Sequence, residues 1–312
     1  MDIPSLTAFL SVAECGSFSM AAEQLHLTQP AVSKRIASLE QQLGTPLFDR
    51  KKFDRKNTSG SRRTHLNEAG RTLLPKARQM LELMQDTRQQ ITNLKTQIKG
   101  PLRLATSHHI GLRRLPEVLK KFARTWPDVT LDIKFVDSEA AYELLHRGEV
   151  ELGIITLAPA NPEGVLSQKL WNDPLVFMAC REHPLAQIKD RISPRALCQY
   201  QAVLPDPGTF TYRLVQNLFD QQGLPLQTAM SSNYLETIRM LTAIGIAWSL
   251  LPKSMLGEDL VELKTGVKPP VRELGYIRHE HRTLSNAARV FLERLDNAQV
   301  EVTEVTVTDT LS

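Results

Sequence analysis

At 312 residues the chain is long for one hydrophobic core, so two or more domains are expected. Its 42% hydrophobic and 23% charged residues are ordinary for a globular protein. No window is apolar enough to span a membrane, and no basic segment followed by an apolar core opens the chain; a cytoplasmic protein without a membrane partner is expected. Cys15, Cys180 and Cys198 are odd in number and widely spaced, which argues against a disulfide framework.

The net charge of +4 is unevenly spread. Residues 1–100 hold 15 Lys and Arg against 9 Asp and Glu, whereas the remainder holds 23 against 25. A basic first third on a near-neutral body suggests a polyanionic partner for that third alone, although a solvated basic surface would give the same balance.

Leu6, Phe9, Leu10 and Ala13 recur at helical spacing and predict a first amphipathic helix ending near Gly16. Ser17 or Ser19 can cap a second helix whose inward face is Ala21, Ala22 and Leu25. Thr28 suits the N-cap of a third helix, with Pro30 in its first turn, where a missing N–H is harmless. Ala31, Val32, Ile36 and Leu39 then face inward, leaving Gln29, Ser33, Lys34 and Arg35 largely outward, and Gly44 ends the helix. Gln reads adenine bidentately, and Lys or Arg reads guanine or holds phosphate. Apolar spacing alone is also compatible with an ordinary helical hairpin.

The run from Phe9 to Arg50 resembles the winged helix-turn-helix of LysR-type transcriptional regulators. The resemblance rests on Gly16-Ser17-Phe18, Ala21-Ala22, Leu27-Thr28-Gln29-Pro30-Ala31-Val32-Ser33, Ile36, Leu39-Glu40, Leu43-Gly44 and Pro46-Leu47-Phe48-Asp49-Arg50. It implies a double-stranded DNA partner, with Gln29, Pro30, Ser33, Lys34 and Arg35 nearest the DNA and Ser19, Thr28, Arg50, Arg62 and Arg63 beside them. One departure stands out. Lys51 to His65 separate Arg50 from Leu66, and Asn67 stands where the family favours Thr. This insert carries Lys51, Lys52, Arg55, Lys56, Arg62 and Arg63 against Asp54, predicting a long basic wing on the phosphate backbone or in a minor groove. A basic loop that orders only on DNA is the competing reading.

From Glu68 to Lys99 a long helix is predicted, with Ala77, Met84, Ile91 and Ile98 seven apart and Leu73, Met80 and Leu94 on the adjoining stripe. Such a seam implies a partner helix, and the resemblance implies the linker helix through which subunits pair into dimers or tetramers.

Beyond Gly100-Pro101, strands and helices alternate: 102–106, 129–136 and 152–156 as strands, with helices over 112–125 and 139–147. A second such unit follows, with strands at 175–179, 202–204 and 246–252 and helices near 211–222 and 234–244. The chain returns through 274–278 to a helix near 284–295. This pattern predicts a largely parallel, two-faced sheet. The resemblance implies an α/β fold class: an all-α-rich N-terminal winged helix-turn-helix, then a two-subdomain, periplasmic-binding-protein-like α/β effector domain. The expected divisions are 1–67 for DNA binding, 68–100 for the dimerisation helix and 101–298 for the effector domain, with 299–312 as a tail. Within the effector domain, subdomain 1 takes 101–171 and 271–298 and subdomain 2 takes 172–270, with crossings near Trp171 and Pro269-Pro270.

A ligand is expected at the carboxyl ends of these strands. Thr106-Ser107-His108-His109 runs from the first strand into a helix start, and position-matching within the family adds Thr156 and Thr209. Hydroxyls at a helix start suggest a small oxyanion, such as a sulfur oxyanion, or a small carboxylate. The Thr106-to-Gly111 run is similar to the FinR-like branch, and the hydroxyl positions to the sulfate-sensing branch. Plain helix capping by Thr106 and Ser107, and packed histidines, remain open. No phosphate loop, nucleophile elbow or spaced metal set is present, so no enzyme and no cofactor is expected. The alternatives are a regulator responding to redox through Cys180 and Cys198, or to a metal through His108 and His109. RNA polymerase is left open as a further partner.

Overall fold

The structure, a computed structural model, describes residues 1–49 and 64–296. Arg50, Arg62, Arg63, nearly all of the basic insert and the 299–312 tail therefore lie outside the described residues. The chain forms two units, Met1–Leu94 and Lys95–Ser312.

Polar caps start the helices of the first unit. The α1 helix (Ile3–Cys15) is capped by Asp2, whose Oδ1 accepts from Ser5 N–H at 2.8 Å. Ser17 caps α2 (Phe18–Gln24), leaving Ser19 exposed within that helix. Thr28 caps α3 (Gln29–Leu43), and Gly44 closes it at φ 69°, a left-handed conformation that a side chain would strain. Leu6, Phe9, Val12, Ala21, Ala22, Val32, Ile36 and Leu39 form the shared core of these helices. An antiparallel bridge joins Phe48 to Leu66, with Asp49 N–H donating to His65 C=O at 2.9 Å. Asn67 caps α4 (Glu68–Asn93), its Oδ1 accepting from Gly70 N–H at 2.9 Å.

The long helix stops at Asn93, short of the expected Lys99. Ala77 is fully buried within its own unit, while Met80, Leu83, Met84 and Ile91 are exposed. Ile98 does not continue the seam. It packs into the core of the second unit, because the helix has ended at Asn93 and the chain there is leading into the first strand.

That second unit is a mixed sheet, not the largely parallel one expected. Strands β1 (Gly100–Thr106), β2 (Val129–Phe135) and β3 (Leu152–Thr156) are parallel, in the order β2-β1-β3. Beside β3 lies β9 (Val271–His279), then β4 (Val165–Cys180) and β7 (Ser249–Pro252), each of these pairings antiparallel. Antiparallel order follows from connectivity, since β4 leaves the first subdomain and β9 returns to it. The expected strand at 175–179 is the second half of the 16-residue β4. Its first half is hidden in the sequence because Ser167, Gln168, Lys169, Asn172 and Asp173 interrupt the apolar run. The partner of β4 changes just beyond Trp171: Pro174 is in register with Val271 on β9, and Leu175 with Pro252 on β7.

Around the first half of this sheet sit α5 (His108–Arg113), α6 (Pro116–Thr125), α7 (Ser138–His146) and a last helix, α11, over 286–296. Its core includes Leu102, Leu104, Phe122, Ile154 and Phe291. The second subdomain adds β5 (Ala202–Leu204), β6 (Thr228–Ser231) and β8 (Leu260–Glu262). Its helices are α8 (Pro194–Leu197), α9 (Phe210–Asp220) and α10 (Leu235–Ala243). Helices α8 and α9 gather on the fully buried Trp248, whose Nε1–H donates to the carbonyls of Leu197 and Tyr200, while α10 packs through Leu235 and Ile238 against Met178 and Leu251.

Candidate functional site

Two places in the fold carry polar groups that the cores do not use. The first is the opening of α3. At the start of this helix Thr28, Gln29, Pro30 and Lys34 are exposed and Ser33 and Arg35 half-buried, and Ser19 in α2 is exposed as well. Val32, Ile36 and Leu39, on the opposite side, are buried in the unit's core and fix the rotation of the helix. Gln29 Nε2–H donates to Ser33 Oγ at 3.0 Å, so the pair presents one joined amide–hydroxyl edge. A short helix with a buried apolar back, an exposed amide and two cations on its front can read base edges in a major groove.

The second place is a cavity of about 50 Å³ where the two subdomains of the C-terminal unit face each other. From subdomain 1 come Ser107, His108 and His109 at the start of α5, Asp137, Ser138 and Glu139 at the start of α7, and Thr156 at the end of β3. Subdomain 2 contributes Thr209, Phe210 and Thr211 at the start of α9, and Asn233 before α10. Arg272, on the crossing strand β9, also lines the cavity.

Among the expected ligand residues, Ser107, His108, His109, Thr156 and Thr209 share this cavity, and Thr106 does not. The Thr106 side chain is fully buried, with Oγ1–H donating to Ile154 C=O at 2.8 Å, so it ties β1 to β3 instead of facing a ligand. Ser107 holds the N-cap position of α5 without a capping side-chain bond, which leaves its hydroxyl uncommitted to that helix. Thr209 does cap α9, accepting from Tyr212 N–H at 3.1 Å and donating to Asp206 C=O at 2.8 Å. Ser138 Oγ accepts from Thr156 N–H at 3.1 Å, joining α7 to β3.

Arg272 has no sequence signal beyond being an arginine inside a strand. It is buried, with Nε and Nη2 on Asp173 Oδ2 and Nη1–H donating to Thr211 Oγ1 at 3.0 Å. One side chain thus links both crossing strands to the start of α9. Glu139 crosses the cleft as well: its Oε1 accepts from Phe210 N–H. Asn233 Nδ2–H donates to Asp137 Oδ2 at 2.8 Å, and the Phe210 ring meets Tyr142 edge-on at 6.0 Å. Asp137-Ser138-Glu139 could have been found as a polar run at a predicted helix start; its partners across the cleft could not.

The two histidines part company. His108 is ringed by Phe135 and Tyr234, with centroids at 5.3 and 4.6 Å. His109 is buried, and burial together with the nearby Arg272 guanidinium holds its pKa below the ordinary value, against Asp173 and Glu236. Its Nδ1 lies 3.7 Å from Glu236 Oε1, and neither atom has a hydrogen-bond partner. Among the described residues no group of three or more His, Cys, Asp and Glu could hold a metal ion. Cys180 and Cys198 are buried, and burial pushes the Cys198 thiol up, away from the reactive thiolate.

The family model described as a bacterial regulatory helix-turn-helix protein, lysR family, matches residues 3–71, and that of the LysR substrate binding domain matches residues 95–299. The chain belongs to the LysR family. A helix-turn-helix regulator from Azotobacter vinelandii, encoded in an ibpB-leuC intergenic region, is 58% identical over 116 residues, covering 37% of this chain and 74% of that one. A probable nitrogen assimilation transcriptional activator of Synechococcus elongatus is 29% identical over 86% of this chain and 84% of its own. Among solved structures, a full-length OxyR variant of Pseudomonas aeruginosa superposes with a TM-score of 0.63 at 24% identity, covering 96% of this chain and 94% of that one. The regulatory domain of Synechocystis CcmR, in complex with 2-PG, gives 0.58 at 25% identity over 64% of this chain and 98% of that one. As a LysR-type protein the chain is a DNA-binding transcriptional regulator with a ligand-binding regulatory domain, not an enzyme. The two family domains imply DNA and a small-molecule ligand as its classes of partner. No helix of the described residues is long and apolar enough to cross a membrane.

Proposed function

We propose that this regulator reads its operator with the opening of α3 and is governed by a small anion, a sulfur oxyanion or a small carboxylate, bound in the cleft between its regulatory subdomains. The observation that carries the ligand class is the lining of one small cavity by the hydroxyl-bearing residues Ser107, Ser138, Thr156, Thr209 and Thr211, the starts of α7 and α9, and Arg272. N–H groups at helix starts, hydroxyls and a guanidinium are the donors that replace an oxyanion's hydration. A cavity of about 50 Å³ favours a ligand of few heavy atoms. The related CcmR regulatory domain with 2-PG supports the same reading. Calorimetric titration of the full-length protein with sulfate, sulfite, small carboxylates and 2-PG tests it, with Ser107→Ala as the first variant. Binding that is unchanged in Ser107→Ala removes Ser107 from the pocket, and no binding of any of these anions ends the anion reading.

On the DNA side, Gln29, Ser33, Lys34 and Arg35 lie nearest the bases, with Ser19, Thr28 and Pro30 positioning them. The basic insert, with Arg50, Arg62 and Arg63, adds phosphate contacts. Replacing Lys51, Lys52, Arg55, Lys56, Arg62 and Arg63 with Ala flattens the dependence of operator affinity on salt, each lost phosphate contact lowering the slope by about 0.9. An unchanged slope rejects the wing as a phosphate clamp. The thiol alternative has no geometric support, given two buried cysteines and a raised Cys198 thiol.

A further inference from the structure

Just past the end of β4 is a second cavity, of about 360 Å³, that shares no lining residue with the cleft. Residues 185–192 form one side of it, and β8 with the two residues that follow forms the other. A bridge between Ile192 and Thr265 joins the two sides. Strand β8 pairs with β4 on one edge only. Leu263 N–H donates to Phe177 C=O at 2.8 Å, so by the alternation of an antiparallel ladder the N–H and C=O of Glu262 turn away from β4. The groove therefore runs along an open sheet edge. Leu185 and Ile192, both buried, and the exposed Ile188 make it apolar. Its charge is one-sided: Arg181, Lys189 and Lys264 stand against Glu262, and Glu262 itself lies 3.9 Å from Lys253.

We propose that this groove receives the acidic 299–312 segment of a second copy of the chain, laid against β8 as an added strand. The composition of the segment matches what such an edge selects. Eight of its fourteen residues are Val or Thr, Glu301, Glu304 and Asp309 supply negative charge, and it holds no Lys, Arg or His. In strand addition, backbone hydrogen bonds give affinity, while side-chain pockets and charge give selectivity. The opposite end of the sheet suits an acidic strand less. The outer edge of β2 is open too, but Asp132 is exposed on that strand and Lys134 is already held by Glu149 at 2.6 Å.

Distance assigns the segment to another copy. Asp296 lies near Tyr276, whose hydroxyl is pushed up by burial and then by that carboxylate. Tyr276 is in register with Gln168 on β4, and β8 pairs with the far end of the same strand, at Cys180. From Gln168 to Cys180 is about 40 Å of strand. Val300 can lie no more than about 15 Å from Asp296, and Val307 no more than about 40 Å. One copy thus cannot lay its own valine-rich stretch along its own β8, whereas a neighbouring copy has no such limit. Because charge selects the strand, the association weakens as salt rises.

The test uses the full-length protein in three forms: unaltered, groove-reversed by Lys189→Glu and Lys264→Glu, and tail-reversed by Glu301→Lys, Glu304→Lys and Asp309→Lys. Sedimentation velocity reads assembly, and fluorescence anisotropy reads binding of a labelled peptide of residues 298–311 to the tail-reversed form. Each reversal alone is expected to weaken assembly by about tenfold or more. An equimolar mixture of the two reversed forms restores it, since each tail then meets a groove of opposite charge. The peptide binds the tail-reversed protein saturably, and about tenfold more weakly once Lys189→Glu and Lys264→Glu are added. Both altered groove lysines are exposed, and thermal unfolding confirms that the variants fold. No binding of the peptide overturns the proposal. Peptide binding that ignores the groove reversal puts the segment elsewhere and overturns the groove as its site. Assembly that neither reversal weakens, or that the mixture does not restore, overturns the second copy as the occupant, even where the peptide binds in the groove.

Discussion

The two units solve opposite problems of construction. In the reading unit, the residues that face outward for DNA and the residues that aim them belong to one helix: Gln29, Ser33 and Lys34 in front, Val32, Ile36 and Leu39 behind. In the sensing unit, no single segment makes the site. Ser107, Ser138, Thr156, Thr209 and Arg272 come from five separate stretches, and the crossing strands bring them together. A surface built on one helix tolerates distant change, whereas a cleft assembled from distant segments depends on the few contacts that tie them.

The sharpest way to break this comparison is Arg272→Ala. Arg272 and Asp173 are in register on adjacent crossing strands, with side chains only 5% and 2% exposed. Removing one partner strands a buried charge, so the sensing unit loses about 3–5 kcal/mol. Thermal unfolding should show that loss in the C-terminal unit. A double change of Arg272→Met and Asp173→Leu recovers much of it, because no unpaired charge remains. A fully stable Arg272→Ala would mean that the pair does not hold the crossing together.

The reading unit has its own point of dependence, of smaller effect. A Cβ on Gly70 would lie 2.1 Å from the carbonyl oxygen of Leu47 and 2.8 Å from Leu66 Cδ2. Helix α4 therefore approaches the Leu47 backbone more closely than any side chain allows. Gly70→Ala is expected to cost the N-terminal unit about 1–3 kcal/mol through overpacking. Thermal unfolding of the variant checks this, and operator affinity should fall with it while anion binding in the cleft stays as it was. A loss of both activities would contradict the separateness of the two units.

The same contrast decides how much is legible in the sequence. The three opening helices match their expected bounds closely, because caps, apolar spacing and Gly44 are all local signals. The alternation of strands and helices in the second unit is equally plain. What fails is non-local. The sheet is mixed because strand direction depends on where the chain returns, and β4 is half-hidden because its polar residues break the apolar run. Ile98 matches a heptad by spacing and yet belongs to another core. In the site, hydroxyl residues at strand ends are found by pattern. Arg272, Asp173 and Thr211 are not, since their meaning lies in partners far along the chain. Thr106 misleads for the complementary reason: spacing places a hydroxyl at the strand end, but only the fold shows it turned onto the Ile154 carbonyl.

His109 gives the smallest expected effect and the one that reports most directly on the cleft. In the folded protein its pKa is held below 6.5, chiefly by burial and then by Arg272. As pH falls below the free value of about 6.5, the unfolded chain takes up a proton that folded His109 resists. The stability of the neutral, folded form is therefore fully present above that value and declines as pH drops from it through the lowered folded-state pKa. His183, lowered by burial in the second subdomain, works with the same sign, so only part of the slope belongs to His109. Unfolding temperatures measured between about pH 7.5 and about pH 5.5 should fall with pH, and His109→Gln should make that fall shallower without removing it. A slope identical in the variant would show that this imidazole takes up its proton as easily in the cleft as in water. The buried nitrogen beside Glu236 would then be open to solvent on the titration timescale, and the sensing unit would be looser at its site than its hydrogen bonds imply.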